Sequence, residues 1–187
     1  MDHIYQNKNF EENWFTYPKL YTTIVNKFPS NSVFVEVGSW KGKSSAYMAV
    51  EIINSGKNID FFCVDTWQGS DEHSDSQKHQ LFEKFLKNIE PVASYIKPLR
   101  MTSLQAANTF KDQSIDFCFI DASHDYENVK NDILAWLPKV KRDGIMGGHD
   151  YHANGQYWPG VAKAVHECIP RDKLQSEGDW WWYEKEK

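Results

Sequence analysis

The chain has 187 residues, 41% of them hydrophobic, and a formal net charge of −5, which suits one domain with a substantial core and argues against a nucleic-acid backbone as main partner. No apolar run approaches the roughly 20 residues of a membrane span, and no charged-then-apolar leader opens the chain. Cys63, Cys118 and Cys168 have neither disulfide nor metal spacing, so a reducing, cytoplasmic setting without membrane or nucleic-acid partners is expected.

Residues 1–30 are polar and aromatic, with enough apolar side chains over 10–28 for one or two cover helices broken at Pro18. Such a segment can pack on a sheet or close over a pocket. The stretch 33–42, VFVEVGSWKG, reads as a buried strand turning tightly into the helix SSAYMAVEII. Gly38 and Gly42 would let the backbone turn and approach a ligand without a Cβ in the way. INSGKN makes a turn, and 59–64 is a second strand ending in Asp65. The polar stretch TWQGSDEHSDSQKHQ has the length of a functional lid or a disordered loop.

A helix over about 77–88 follows, then a third strand near 95–99 and a short helix with Ser103 as N-cap. IDFCFI is a fourth strand ending in Asp121, and a helix runs from Asp125 until Pro138 stops it. RDG turns into a fifth strand, GIMGG, ending in His149 and Asp150. After the helix VAKAVHECI come two strand-like pieces near 173–175 and 180–183. The second holds Trp180, Trp181 and Trp182, expected to bury one face and line a surface or interface with the other. Strands alternating with helices predict an α/β fold: a Rossmann-like, doubly wound, mostly parallel seven-stranded sheet with helices on both faces, in a single domain.

Acids stand at the ends of successive strands: Glu36 before Gly38, then Asp65, Asp121 and Asp150. A parallel sheet brings these ends to one edge, where ligands of open α/β sheets bind. Like charges crowded there are costly unless a cation or a hydroxyl-rich ligand lies between them. Asp65 has the position at which an acid accepts the hydroxyls of a ribose; a turn aspartate is the plain alternative. Asp121, His149 and Asp150 can hold Mg²⁺, Mn²⁺ or Fe²⁺, or be an N-cap, a core-edge histidine and a turn acid. His124 is either a base for a metal-bound hydroxyl or an exposed loop histidine. GSWKGKSS is one residue short of a phosphate-binding loop, so Lys41 and Lys43 are expected to be ordinary surface charges at a helix start.

The segments VFVEVGSWKGKSS, FFCVDTW, IDFCFIDASHDYENVKNDILAWLPKVKRDGIMGGHDY and PGVAKAVHE together resemble a class I S-adenosylmethionine-dependent methyltransferase. Within that class they are similar to the small group related to the catechol and macrolide-sugar O-methyltransferases. The resemblance covers about residues 32–168 and implies a methyltransferase domain over 31–187, preceded by the cover segment 1–30. It implies that Glu36, Gly38 and Gly42 bound the pocket for the methionine part of the cofactor, with Ser39, Trp40, Thr66 and Asp121 also in contact. Asp65 would hold the ribose, Trp67 would lie beside the adenosine, and Ser103 would touch the adenine. Asp121, His149 and Asp150 would be metal ligands, His149 standing where such enzymes commonly have an acid, and His124 the catalytic base.

The function expected is O-methylation of a sugar, polyketide or phenolic hydroxyl on a small molecule, with Mg²⁺ or Mn²⁺ assisting and a homodimer as a reasonable assembly. Alternatives are a metal-independent methyltransferase on nitrogen or another centre, and a nucleoside- or sugar-binding module without turnover. A dinucleotide-dependent oxidoreductase is disfavoured because GSWKG lacks the GxGxxG spacing that seats a pyrophosphate.

Overall fold

The computed structural model describes residues 1–7, 10, 12–70 and 73–186. Its sheet comprises β1 (Val33–Val37), β2 (Asp60–Asp65), β3 (Lys97–Arg100), β4 (Ile115–Ile120), β5 (Val140–Gly148), β6 (Gln175–Glu177) and β7 (Trp180–Glu184). The spatial order is β3-β2-β1-β4-β5-β7-β6. The first five strands are parallel, while β7 pairs antiparallel with β5 and β6 with β7. All six residues of β4 are buried, the mark of a central strand covered on both faces.

Helices α1 (Pro18–Lys27), α2 (Lys43–Ser55), α3 (Asp75–Lys78), α4 (Leu81–Ile89), α5 (Ser103–Ala107), α6 (Tyr126–Trp136) and α7 (Pro159–Cys168) connect and cover the strands. Alternation along β1 separates two cores. Phe34 and Glu36 face the layer of α1, α2 and α4, whereas Val35 and Val37 face that of α6 and α7. Among the described residues, no helix is long and apolar enough to cross a membrane.

Several local expectations need correction. Pro18 opens α1 at its first position instead of breaking a helix, because its missing N–H has no intrahelical partner there anyway. Thr102, not Ser103, caps α5, in a reciprocal box with Gln105. The helix expected over 77–88 is split at Gln80, whose φ is +50°, and a 3-10 turn over Glu90–Tyr95 displaces β3 to Lys97–Arg100. RDG is no turn: β5 already begins at Val140, and Asp143 at φ +64° lies in an irregularity where the register against β4 shifts. Both faces of the tryptophan run are packed, with Trp182 only half-buried. Trp180 and Trp181 are buried in opposite cores, and Trp182 packs against the first, because β7 extends a sheet that is covered on both sides.

Candidate active site

Val64, Val37, Ile120 and Gly148 form one row of paired residues across β2, β1, β4 and β5. The residue that follows this row in each chain segment therefore stands at the same level at the sheet's edge, which brings Asp65, Gly38, Asp121 and His149 together. Backbone bonds hold the level beyond the strands: Gly38 N–H to Val64 O at 2.8 Å, Asp121 N–H to Val37 O at 2.7 Å and His149 N–H to Ile120 O at 3.0 Å. Above this edge lies a cavity of about 770 Å³, within the size range of small-molecule sites. Phe10 and residues 12–17 of the N-terminal segment wall it, as do Gly69, Ser70, His73 and Gln77 from the polar stretch after β2. Asp71 and Glu72 of that stretch lie outside the described residues.

One half of the cavity is organised by Asp65. Its Oδ2 accepts the backbone N–H of Ser39 at 3.0 Å and of Trp40 at 2.9 Å, and its Oδ1 that of Trp67 at 2.7 Å. Burial pushes its pKa up, and these three N–H bonds oppose the rise. Ser39, Trp40 and Thr66 line the cavity, with Trp40 stacked on His73 at 4.0 Å between ring centroids. Trp67 stands behind the wall, packed on Phe82 and Phe85, and its indole N–H supports the Trp40 carbonyl at 2.9 Å.

Glu36 is likewise behind the wall, fully buried between β1 and the helices. It accepts from the Tyr21 hydroxyl at 2.9 Å and from Ser45, and burial raises its pKa against these donors. Gly38 lines the cavity, and both glycines permit close packing within the protein. A Cβ on Gly42 would press on Ile89 and Phe85 of α4, and one on Gly38 would meet the Asp121 backbone. Ser103 reaches the cavity wall, but its hydroxyl accepts the Trp136 indole N–H at 2.9 Å and bonds to Asp132. Lys41 is not a surface charge: it is buried and pairs with Glu12 at 2.6 Å, while Lys43 reaches the Glu12 carbonyl at 2.8 Å. Both lysines tie the N-terminal segment over the loop.

The other half holds acids and imidazoles. Asp121, His149 and Asp150 each offer one ligand atom, all within 4.8 Å of one another. Two carboxylates and an imidazole form a donor set that fits Mn²⁺ and Fe²⁺, and Mg²⁺ less well because it prefers oxygen. Burial disfavours a charge on His149, but Asp121, Asp150 and Asp179 outweigh it and push its pKa up to about 12. Asp150 is also desolvated, yet hydrogen bonds from His124 and His149 hold its carboxyl well below the usual range. His124 Nε2 lies 2.9 Å from Asp150, and its ring stacks on Trp158 at 4.0 Å. The Tyr17 hydroxyl donates to Asp121 at 2.6 Å. Thr16, Tyr17, Trp158 and Asp179 escaped the sequence reading, since nothing local marks them; Asp179 sits in an ordinary Gly-Asp turn between β6 and β7.

A parallel sheet extended by an antiparallel pair, with a cavity at its carboxyl edge, defines the class I S-adenosylmethionine-dependent methyltransferases. The methyltransferase domain family matches residues 35–151, well over half of the chain, and the chain belongs to that family. A curated relative, the uncharacterized protein y4gI of Sinorhizobium fredii (strain NBRC 101917 / NGR234), is 29% identical over 134 residues, covering 68% of this chain and 15% of that protein. This chain thus matches only a small part of that relative. A solved structure from Corynebacterium glutamicum shares the fold at TM-score 0.71 and 12% identity, over 100% of this chain and 91% of that one. The O-methyltransferase NovP aligns at 0.66 and 15%, over 91% and 79% of the two chains. CalS11, a TDP-rhamnose 3'-O-methyltransferase of calicheamicin biosynthesis, aligns at 0.62 and 16%, over 89% and 76%.

Proposed function

We propose that this protein transfers the methyl group of S-adenosylmethionine to a hydroxyl of a small molecule, such as a sugar, a polyketide or a phenol, with a divalent cation at Asp121, His149 and Asp150. The observation that carries this reading is that the Asp65 loop and the acid–imidazole cluster open into one cavity. NovP and CalS11, both O-methyltransferases by name, support the choice of oxygen as acceptor.

The Gly38–Trp40 loop and Asp65 would hold the cofactor, which would supply a methyl group on a sulfonium. A cation at the cluster supplies a Lewis acid that lowers the acceptor's pKa. The chain's own residues do the positioning on which in-line transfer depends. Asp65 braces the loop through three backbone N–H groups, and Trp40 with His73 walls that side. His124, steadied by Asp150 and Trp158, accepts the hydroxyl proton as the oxygen–methyl bond forms and the sulfur–methyl bond breaks.

A second, metal-free reading is favoured by the pairing of His149 with three acids: its imidazolium would neutralise them in place of a cation. Calorimetric titration with S-adenosylhomocysteine, on wild type and Asp65→Ala, tests the cofactor assignment. Micromolar binding lost in the variant supports it, and no binding by the wild type overturns it. Methyl transfer abolished by chelator and restored by Mn²⁺ separates the two metal readings.

A further inference from the structure

We propose that Asp179 and Thr16 are positioning residues that hold the Nε2–H of His149 and so turn Nδ1 toward Asp121 and Asp150, where a cation would take the place of any Nδ1 hydrogen; this rests on the metal-assisted reading above. Thr16 Oγ1 donates its single hydrogen to Asp179 Oδ1 at 2.7 Å. Toward His149 Nε2, 2.9 Å away, the same hydroxyl can then only accept. The other oxygen of Asp179 lies 3.3 Å from that nitrogen and, as a carboxylate, also only accepts. Both neighbours of Nε2 being acceptors, that nitrogen carries a hydrogen.

The ring is thereby fixed with Nδ1 3.4 Å from Asp121 Oδ1 and 3.1 Å from Asp150 Oδ2. Tyr17 packs against its face at 4.9 Å and hydrogen-bonds Asp121, so the ring has little room to turn. The Asp179 turn is itself held, its carbonyl accepting the Tyr151 N–H at 2.8 Å. A ligating histidine needs one nitrogen free of hydrogen and the other held by an acceptor, and loss of that acceptor typically weakens metal binding about 10–100-fold. Here the supporting acceptors come from the N-terminal segment and the β6–β7 turn, both outside the stretch 35–151 that the family matches. The histidine at the end of β5 and the two ends of the chain therefore form one device.

The test is titration of Mn²⁺ into metal-stripped protein, with free ion followed by electron paramagnetic resonance, for wild type, Asp179→Ala, Thr16→Val and Thr16→Ser. S-adenosylhomocysteine affinity is measured alongside. The expected result is Mn²⁺ binding weakened about 10–100-fold in Asp179→Ala and Thr16→Val, kept within a few-fold in Thr16→Ser, which retains the hydroxyl, and unchanged affinity for S-adenosylhomocysteine in all three. Wild-type Mn²⁺ affinity in Asp179→Ala and Thr16→Val would overturn the positioning role and leave the metal site standing. Parallel loss of S-adenosylhomocysteine binding would also overturn it, marking a general structural role. Absence of Mn²⁺ binding by the wild type would overturn the metal-assisted reading and this inference with it.

Discussion

A Cβ built on Gly38 would stand 1.8 Å from the carbonyl oxygen of Asp121. The two residues leave adjacent strands, β1 and β4, at the same level, so the Gly38 loop and the acid cluster share a backbone contact that no side chain can enter. Gly38 also has φ +89°, a conformation that side-chain-bearing residues adopt only with strain. Gly38→Ala is expected to destabilise the fold by on the order of 3 kcal/mol and to abolish S-adenosylhomocysteine binding. Urea unfolding and calorimetry check both, and a stable variant with wild-type affinity would show that the strand ends separate freely.

Asp65 braces three backbone N–H groups, which makes it a structural residue of the loop as well as the expected ribose partner. Its truncation to alanine leaves buried donors without acceptors, each costing about 1–3 kcal/mol. Asp65→Ala should lose a few degrees or more in Tm together with cofactor affinity. An undiminished Tm would mean that the loop holds its shape without the carboxylate.

The role proposed for His124 is proton transfer, not cofactor binding. His124→Gln is expected to lower kcat by about 10²–10⁴-fold while S-adenosylhomocysteine affinity stays at the wild-type level. Retention of full turnover would remove His124 from the chemistry.

Asp132 supplies a pH test away from the cluster. Buried in α6, its carboxyl is pushed up to about 6 by desolvation, against a hydrogen bond from Ser103. With the folded pKa above the unfolded value near 3.9, the ionised form opposes folding above pH 6, and the penalty disappears as pH falls toward 4. Asp132→Asn should therefore match the wild type in stability near pH 4 and exceed it by about 3 kcal/mol at pH 7.5. Urea denaturation at both values measures the gap, and a gap independent of pH would contradict the assignment.

Much of the architecture was legible because its signals are local. An apolar β-branched or aromatic run that stops at a polar residue or a glycine reads as a buried strand, and five strand-like runs separated by helical stretches leave little choice but a parallel, doubly covered sheet. The convergence of Asp65, Asp121, His149 and Asp150 followed from that topology alone. Register then placed them, since each stands one or two residues past the row Val64, Val37, Ile120, Gly148.

Orientation was not legible. Glu36 and Trp67 belong to the same motifs as Gly38 and Asp65, yet they point behind the wall, Glu36 because alternation along β1 turns it toward α1 and α2, Trp67 because α4 supplies Phe82 and Phe85 to pack on. Lys41 looked like a surface charge until Glu12 folded over it. Thr16 and Asp179 meet at His149 only when both ends of the chain close on the carboxyl edge of the sheet. The sequence by itself determined the strand-and-helix order and which acids end the strands, because hydrophobic runs and their terminators act over a few residues. Only the tertiary structure decided which side chains face the cavity and which brace it, because those contacts join residues from opposite ends of the chain, at distances no local pattern encodes.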